Sequence, residues 1–374
     1  MKRIVAGLLA VAIVFGSGTV LPVVELTDGG VISVSAIGTY EEIYDSGDFS
    51  FGITENGKAV LLHYKGTGSV VNVPATFYSK DVIGIDENAF SQNLNIVEVN
   101  LPNTINFIYD FAFSGCENLK KVNIPIYIQN IGQGAFSDTA IVKNQKSDVK
   151  YVGNWVVDYS GNLSSISINN GTVGIAAGAF IDANFNSISI PNSIKYICSS
   201  AFSSCSNLES IDIPNSVIDI ESFTFEDCTS LTDVTMGNNV KSIDGYAFSG
   251  CSNLKNINLP DSITSMGYHV FSDCANLKSI HIPNSLTELD DVFSHCTGLT
   301  SIEIPSSIKD VSDFNWCENL REITVTDSTD FSFCFSGCKI KKLIIANGSK
   351  SITSRMTNVV YQGTRTLQDT VEEV

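Results

Sequence analysis

The sequence predicts a β-rich repeat solenoid, and three observations support this prediction. A pattern of 21 to 23 residues recurs along most of the 374-residue chain, as in SSCSNLESIDIPNSVIDIESFTF (203–225) and EDCTSLTDVTMGNNVKSIDGYAF (226–248). Most units contain the spacing L-x-x-I-x-I, in which the last two side chains point to the same side of a strand. Each unit also contains one Phe at a fixed position. A unit this short cannot bury its apolar face alone, so neighbouring units must stack.

The unit 203–225 shows how one coil is expected to form. Leu208, Ile211 and Ile213 point inward from a strand, and Pro214 ends the regular pairing because it has no amide hydrogen. A second short extended run follows and turns apolar side chains inward again. The repeat Phe, Phe225 in this unit, then fills the widest part of the coil.

The repeat Phe gives the phase of the units along the chain. Nearly every gap is 21 to 23 residues, but 44 residues separate Phe136 from Phe180. The segment 149–168 in this gap is predicted to be an inserted hairpin with its turn at 160–162. The repeat Phe residues are Phe90, Phe113, Phe136, Phe180, Phe202, Phe225, Phe248, Phe271, Phe293, Phe314 and Phe335.

The ends of the chain differ from the repeats. Residues 1–36 have the layout of a secretory signal peptide, with Lys2 and Arg3 before the apolar run 4–15 and small residues at 34–36. An uncleaved anchor is the alternative, but the run is shorter than the roughly 20 residues that span a bilayer. Residues 37–67 are predicted to form an N-terminal β-hairpin cap with a turn at Asn56-Gly57. The solenoid then covers 68–352, and 353–374 form a degenerate C-terminal cap and tail.

The repeats, with L-x-x-I-x-I followed by Pro-Asn-Ser, Ala-Phe and a Cys, resemble leucine-rich repeats of the BspA type. The resemblance runs from about Gly68 to Ile352. It implies an α/β-type, β-rich, right-handed superhelix with one parallel sheet. It also implies a secreted or cell-surface location and attachment to extracellular proteins or to other cells. The sequence contains no sorting signal of the LPxTG kind, so the mode of surface attachment is open.

Eight of the ten cysteines occupy one repeat position. A disulfide framework is the usual expectation for a secreted protein. Because the same position holds Asn93 in an earlier unit, we favour a ladder of buried free thiols. The eight are Cys116, Cys205, Cys228, Cys251, Cys274, Cys296, Cys317 and Cys338.

Neither a metal site, a cofactor site nor a catalytic site is expected. The sequence contains no C-x-x-C pair, no G-x-S-x-G elbow, no H-E-x-x-H and no phosphate-binding loop. The four histidines share no motif, and His281, between two isoleucines, is predicted to face solvent.

The charge and the outward-facing residues limit the kind of partner. With 22 basic and 40 acidic residues, the net charge is −18, which argues against nucleic acid and anionic membranes. The sheet face is predicted to be small and polar, and its lack of aromatic residues argues against a groove that stacks carbohydrate. The candidate sheet-face residues are Asp212, Asn256, Asn258, His281 and Glu303. A candidate basic rim beside the sheet comprises Lys120, Lys255, Lys278, Arg321 and Lys341.

These observations predict a secreted, non-enzymatic, monomeric protein that binds a protein or a cell-surface ligand. An acidic partner would be attracted to the basic rim, unless the lysines are only a solvated row. A secreted scaffold without a specific ligand is the first alternative, and a repeat-bearing enzyme is the second. The segments outside the repeats are too short for an ordinary catalytic domain.

Overall fold

The computed structural model describes residues 40–308 and 314–325, together with the backbone of three later strands. The chain divides into two compact units, Met1–Asp158 and Tyr159–Val374. The predicted signal peptide, Lys341, Cys334, Cys338 and Phe335 all lie outside the residues whose side chains are described.

The first unit begins with an antiparallel meander and continues as stacked coils. Strands β1, β2 and β3 pair antiparallel in that order, and β3 then pairs parallel with β6. The turn between β2 and β3 contains Gly57, whose amide donates to the Thr54 carbonyl at 2.8 Å. The role of this meander as a cap stays a prediction. The elements are β1 (Glu42–Ser46), β2 (Phe49–Ile53), β3 (Ala59–Tyr64), β4 (Val70–Asn72), β5 (Thr76–Phe77), β6 (Lys80–Ile85), β7 (Glu98–Asn100), β8 (Phe107–Ile108), β9 (Lys121–Asn123), β10 (Asn130–Ile131), α1 (Ala140–Lys143), β11 (Val149–Val152) and β12 (Trp155–Tyr159).

The second unit is a stack of coils made of short strands and tight turns. Its strands are β13 (Ser165–Ser167), β14 (Gly174–Ile175), β15 (Ser187–Ser189), β16 (Tyr196–Ile197), β17 (Ser210–Asp212), β18 (Asp219–Ile220), β19 (Asp233–Thr235), β20 (Ser242–Ile243), β21 (Ser265–Met266), β22 (Ser301–Ile304), β23 (Glu322–Val325), β24 (Phe331–Phe333), β25 (Lys342–Ile345) and β26 (Ile352–Ser354).

Parallel pairing follows two sides of the coils, so the single parallel sheet expected from the sequence is too simple. On the side of the L-x-x-I-x-I strands, which we call the front, the ladders are β4-β7-β9, β13-β15-β17-β19 and β22-β23-β25. On the other side the ladders are β6-β8-β10, β14-β16, β18-β20-β21 and β24-β26. The second set exists because the run after each Pro is also extended and stacks in register, as Ile220 does on Ile243.

The β-rich solenoid is confirmed, and helix contributes a single turn to the described residues, α1. The right-handed sense of the superhelix stays a prediction. In the segment 149–168, β11 and β12 are hydrogen-bonded neighbours, but their turn lies at Gly153-Asn154. The turn predicted at 160–162 is therefore wrong. Gly153 has the left-handed φ of +60° that a tight two-residue turn requires.

The repeat Phe residues form the centre of the core in each unit. Phe90, Phe113 and Phe136 stack in the first unit with centroids 4.9 and 5.2 Å apart. In the second unit the stack runs from Phe180 to Phe314, with centroid separations of 5.1 to 5.8 Å. All of these rings are buried. Such offset or parallel ring pairs stabilise each contact beyond the area that they bury.

The cysteine ladder satisfies the backbone beside this stack. The thiol of Cys251 donates to the Phe225 carbonyl at 3.1 Å, and six other cysteines form the same bond to the repeat Phe of the preceding coil. All eight described cysteines are free and buried. Burial raises the pKa of the Cys116 thiol to about 11 and that of Cys296 to about 12. These thiols are consequently neutral donors at physiological pH.

Candidate functional site

The predicted sheet-face residues are exposed but do not share one continuous strand ladder. Asp212 ends β17, and Glu303 lies in β22. Asn256 and Asn258 lie in a segment that forms no strand, although its apolar residues are buried as in the other coils. His281 is exposed, as predicted, and forms an isolated parallel bridge with Glu303.

The predicted basic rim is interrupted. Lys120 lies in the first unit, whereas Lys255 and Lys278 occupy successive coils of the second unit and are exposed. Acidic or neutral residues hold the same position in other coils, Glu209 being one. The Arg321 guanidinium donates to the Leu320 carbonyl at 3.2 Å and to the Asn319 side-chain oxygen at 3.3 Å, so it folds back on its own turn. Lys341 lies outside the described residues.

A different edge of the second unit concentrates chemically richer side chains. In each coil of this unit from Phe180 to Phe293, the residues two before and two after the repeat Phe both have left-handed backbone angles, and Trp316, two after Phe314, does too. Four consecutive residues at the first position form what we call the outer row: Phe223, Tyr246, His269 and Asp291. Three consecutive residues at the second position form the inner-turn row: Asp273, His295 and Trp316. Together with the intervening residues they form the turn edge. The residues predicted from the sequence lie on the sheet face and the basic rim, and none of them belongs to this edge.

The left-handed conformation at these positions is unfavourable for large side chains. Tyr246 has φ of +60° and His269 of +56°, whereas Gly134 and Gly178 occupy the equivalent position in other coils at +61°. A residue with a Cβ costs about 1–2 kcal/mol more than Gly here. The conformation aims the backbone amide at the next coil, where the His269 amide donates to the Asp291 carbonyl at 2.9 Å. The hydrogen bonds between turns therefore impose the left-handed conformation, and they offset its unfavourable conformational energy at the aromatic residues.

The stacking of coils arranges the aromatic rings face to face. Phe223 and Tyr246 lie 5.0 Å apart with a 7° angle between planes, and Tyr246 and His269 lie 5.0 Å apart at 27°. In the other row, His295 stacks on Trp316 at 6.1 Å and 18°. Residues at one repeat position are about 4.8 Å apart in successive coils, which is the stacking distance of rings.

A hydrogen-bond network fixes the end of the outer row. The Nε2 atom of His269 lies 3.2 Å from the Asp291 carboxylate, and Nδ1 lies 2.8 Å from the Ser272 hydroxyl. Ser294 and Asn315 also donate to Asp291, the latter at 3.5 Å. In the tautomer that donates from Nε2 to the carboxylate, Nδ1 accepts a hydrogen bond from the Ser272 hydroxyl.

Serine, histidine and aspartate are also the members of a hydrolytic triad, but this arrangement does not provide a nucleophile. Ser272 is only 4% exposed, so a substrate carbonyl cannot reach its hydroxyl. A serine follows the repeat Phe in most coils, as Ser249 and Ser294 do, which identifies Ser272 as part of the repeat. Within the described residues no group of three His, Cys, Asp or Glu side chains is arranged to hold a metal ion.

The two rows flank an open groove with a volume of about 400 Å³. Its lining combines rings, carboxylates and hydroxyl groups. The lining residues are Tyr246, Ser249, His269, Ser272, Asp273, Asp291, Ser294, His295, Asn315 and Trp316. Ser272 and Ser294 are buried and form part of the floor, while Trp316 is 50% exposed. The exposed part of the Trp316 ring can contact a planar group, and the carboxylates of the groove can accept hydrogen bonds from it.

Comparison with protein families identifies the repeat. The model of the BspA type leucine-rich repeat region, which contains six copies, matches residues 83–183, 173–296 and 290–362. The chain belongs to this family. Membership agrees with the resemblance that the repeat residues carry. The comparison with curated proteins gave no match.

Solved structures of leucine-rich repeat proteins are similar to this BspA-type chain over most of its length. A leucine-rich cell surface protein from Faecalibacterium prausnitzii is 24% identical, covering 86% of this chain and 95% of that chain with a TM-score of 0.39. A Bacteroides ovatus protein is 21% identical, covering 83% and 99% respectively, with a TM-score of 0.43. An Eubacterium ventriosum protein is also 21% identical, covering 79% and 94%, with a TM-score of 0.44. Within the part of the chain that the structure describes, no helix is long and apolar enough to cross a membrane.

Proposed function

We propose that this BspA-type protein is secreted or held at the cell surface, where it binds other macromolecules and contributes to adhesion without catalysis. The observation that carries the proposal is the contrast between a uniform core and varied exposed rows. The same Phe and Cys recur inside the coils, while the exposed side chains vary between coils: they are charged or polar on the front, and charged, polar or aromatic on the turn edge. A rigid stack of coils with varied rows provides an extended binding surface.

The location rests on the signal-peptide layout of residues 1–36 and on family membership. The free thiols are compatible with an oxidising compartment because each is buried beside a backbone carbonyl. A buried neutral thiol is a poor nucleophile and is not readily oxidised.

A binding screen tests this function. Purified residues 37–374 would be immobilised and exposed to extracellular matrix proteins, to glycans and to bacterial cells. We expect saturable binding of at least one macromolecule, and uniformly negative results would favour an inert scaffold. A fluorophosphonate probe should leave Ser272 unlabelled in the same preparation, whereas labelling of Ser272 would contradict the non-catalytic role.

The predicted basic rim is tested with charge-matched variants. The double variant Lys255→Glu, Lys278→Glu reverses two adjacent exposed lysines of the rim. The control Lys195→Glu, Lys241→Glu changes the net charge equally at two exposed lysines outside the rim. If the rim binds an acidic partner, the first variant should weaken binding at least ten-fold and the control should not. Equal effects of both variants would show that only the net charge matters.

A further inference from the structure

The two rows of the turn edge differ in how their polar groups are satisfied. The His269 and Asp291 side chains bond to each other and to neighbouring hydroxyl and amide groups. In contrast, the Asp273 carboxylate, the ring nitrogens of His295 and the Trp316 indole N–H form no hydrogen bond with any described residue. The inner-turn row therefore presents one acceptor, one imidazole and one indole to the groove, in three successive coils.

The charge around the groove excludes one class of ligand and favours another. The turns that build this edge are 221–228, 244–251, 267–274, 290–296 and 314–317, and they contain no Lys or Arg. They contain seven acidic residues, namely Glu221, Glu226, Asp227, Asp244, Asp273, Asp290 and Asp291. Phosphates, sulfates and carboxylates would be repelled here, whereas a cation would be attracted.

The rings favour a planar cation over a compact one. The rings stack on one another at separations of 5.0 to 6.1 Å, and the half-exposed Trp316 at the end of its row leaves ring surface that a further planar group can contact. A guanidinium group is planar, stacks on aromatic rings and carries five donors, two of which can pair with one carboxylate. An ammonium group lacks this shape and is more strongly hydrated.

We propose that the groove between the outer row and the inner-turn row binds an arginine side chain of a partner polypeptide, with Asp273 pairing with the guanidinium and Trp316 contacting it. The source of the ligand as a protein rests on the proposed macromolecule-binding role. The groove shares no residue with the basic rim, so the two binding proposals are tested independently.

The two tryptophans of the chain provide a direct readout. Trp155 is 1% exposed and Trp316 is 50% exposed, so acrylamide quenching of fluorescence reports mainly on Trp316. The probe is an acetylated, amidated peptide Gly-Gly-Arg-Gly-Gly, compared with the same peptide carrying neutral citrulline. We expect the arginine peptide to protect Trp316 saturably and the citrulline peptide to bind at least ten-fold more weakly. No protection by the arginine peptide, or equal protection by both, would overturn the proposal.

A matched pair of variants tests the assigned residue. Asp273 and Asp182 occupy the same repeat position, and both are exposed with φ of +59°. Asn tolerates this conformation, so Asp273→Asn and Asp182→Asn should both fold. We expect the first to weaken the arginine peptide about ten-fold and the second to change its affinity less than two-fold. Equal effects would overturn the role of Asp273.

Two further probes distinguish an arginine site from a glycan site and from a site that binds any cation. A neutral oligosaccharide that protects Trp316 more strongly than the arginine peptide would overturn the proposal in favour of a glycan site. A lysine peptide that binds as tightly as the arginine peptide would overturn the selectivity for a planar cation. If the macromolecule screen were negative but the arginine peptide bound, the proposed adhesion role would be contradicted and the arginine-binding groove would be supported.

Discussion

Two rows of side chains run along the second unit only two residues apart in each coil, and they have opposite characters. The buried row is Phe in every coil, from Phe180 to Phe314. The position two residues earlier, which includes the outer row, changes from Gly178 to an aromatic at Phe223 and to a carboxylate at Asp291. Packing against two neighbouring coils allows one shape inside, whereas solvent accepts many shapes outside. The buried row therefore determines the fold, and the outer row is available for recognition.

The largest expected effect comes from a substitution in the buried row. Phe225→Ala removes a fully buried ring that stacks on Phe202 and Phe248, and we expect it to destabilise the protein by about 3–5 kcal/mol. Phe223→Ala, two residues away, removes a partly exposed ring and should cost about 0.5–1.5 kcal/mol. Denaturant unfolding measures both variants. Comparable losses would contradict the distinction between the rows.

Buried positions were predictable from the sequence, whereas the turn and the exposed rows were less so. The Phe phase and the inward strand positions were predictable, because burial imposes a strict period: Ile211 is buried between exposed Ser210 and Asp212. The turn in 149–168 was not predictable, because this segment contains two Gly-Asn pairs, at 153–154 and 161–162. The pairing of β11 with β12 places the turn at the first of them. A polar turn sequence alone does not contain the pairing information.

The turn-edge groove was missed for a related reason. Its residues come from four coils and share no motif, and no period links Tyr246, Asp273 and Trp316. One signal was available in the sequence. Aromatic rings occur two residues before the repeat Phe in three successive coils, at Phe223, Tyr246 and His269. A row of rings at one offset in stacked coils predicts ring stacking, whatever the position faces.

A smaller effect is expected from the thiols beside the buried row, and it depends on pH. Burial raises the pKa of Cys116 to about 11 and that of Cys296 to about 12, above the ordinary value of 9.0. The folded state therefore holds protons that the unfolded state releases above pH 9. Stability is unaffected below about pH 9 and falls as the pH rises from 9 towards 11.

The decline is measured as the slope of unfolding free energy against pH. Cys251→Ala and Cys274→Ala remove buried thiols whose pKa values burial also raises, so each should flatten the slope above pH 9. At pH 7 a thiol reagent should label the native protein slowly and the unfolded protein completely. Rapid labelling of the native protein would show that the thiols are accessible, contrary to their burial.

The most direct test of the division between the rows is the stability of a triple variant. Phe223→Asn, Tyr246→Asn and His269→Asn remove every ring of the outer row and keep a residue type that tolerates the left-handed conformation. We predict that the unfolding midpoint in denaturant changes less than it does in the single variant Phe225→Ala. A triple variant that is destabilised more than Phe225→Ala would contradict this account, because the outer row would then be part of the core.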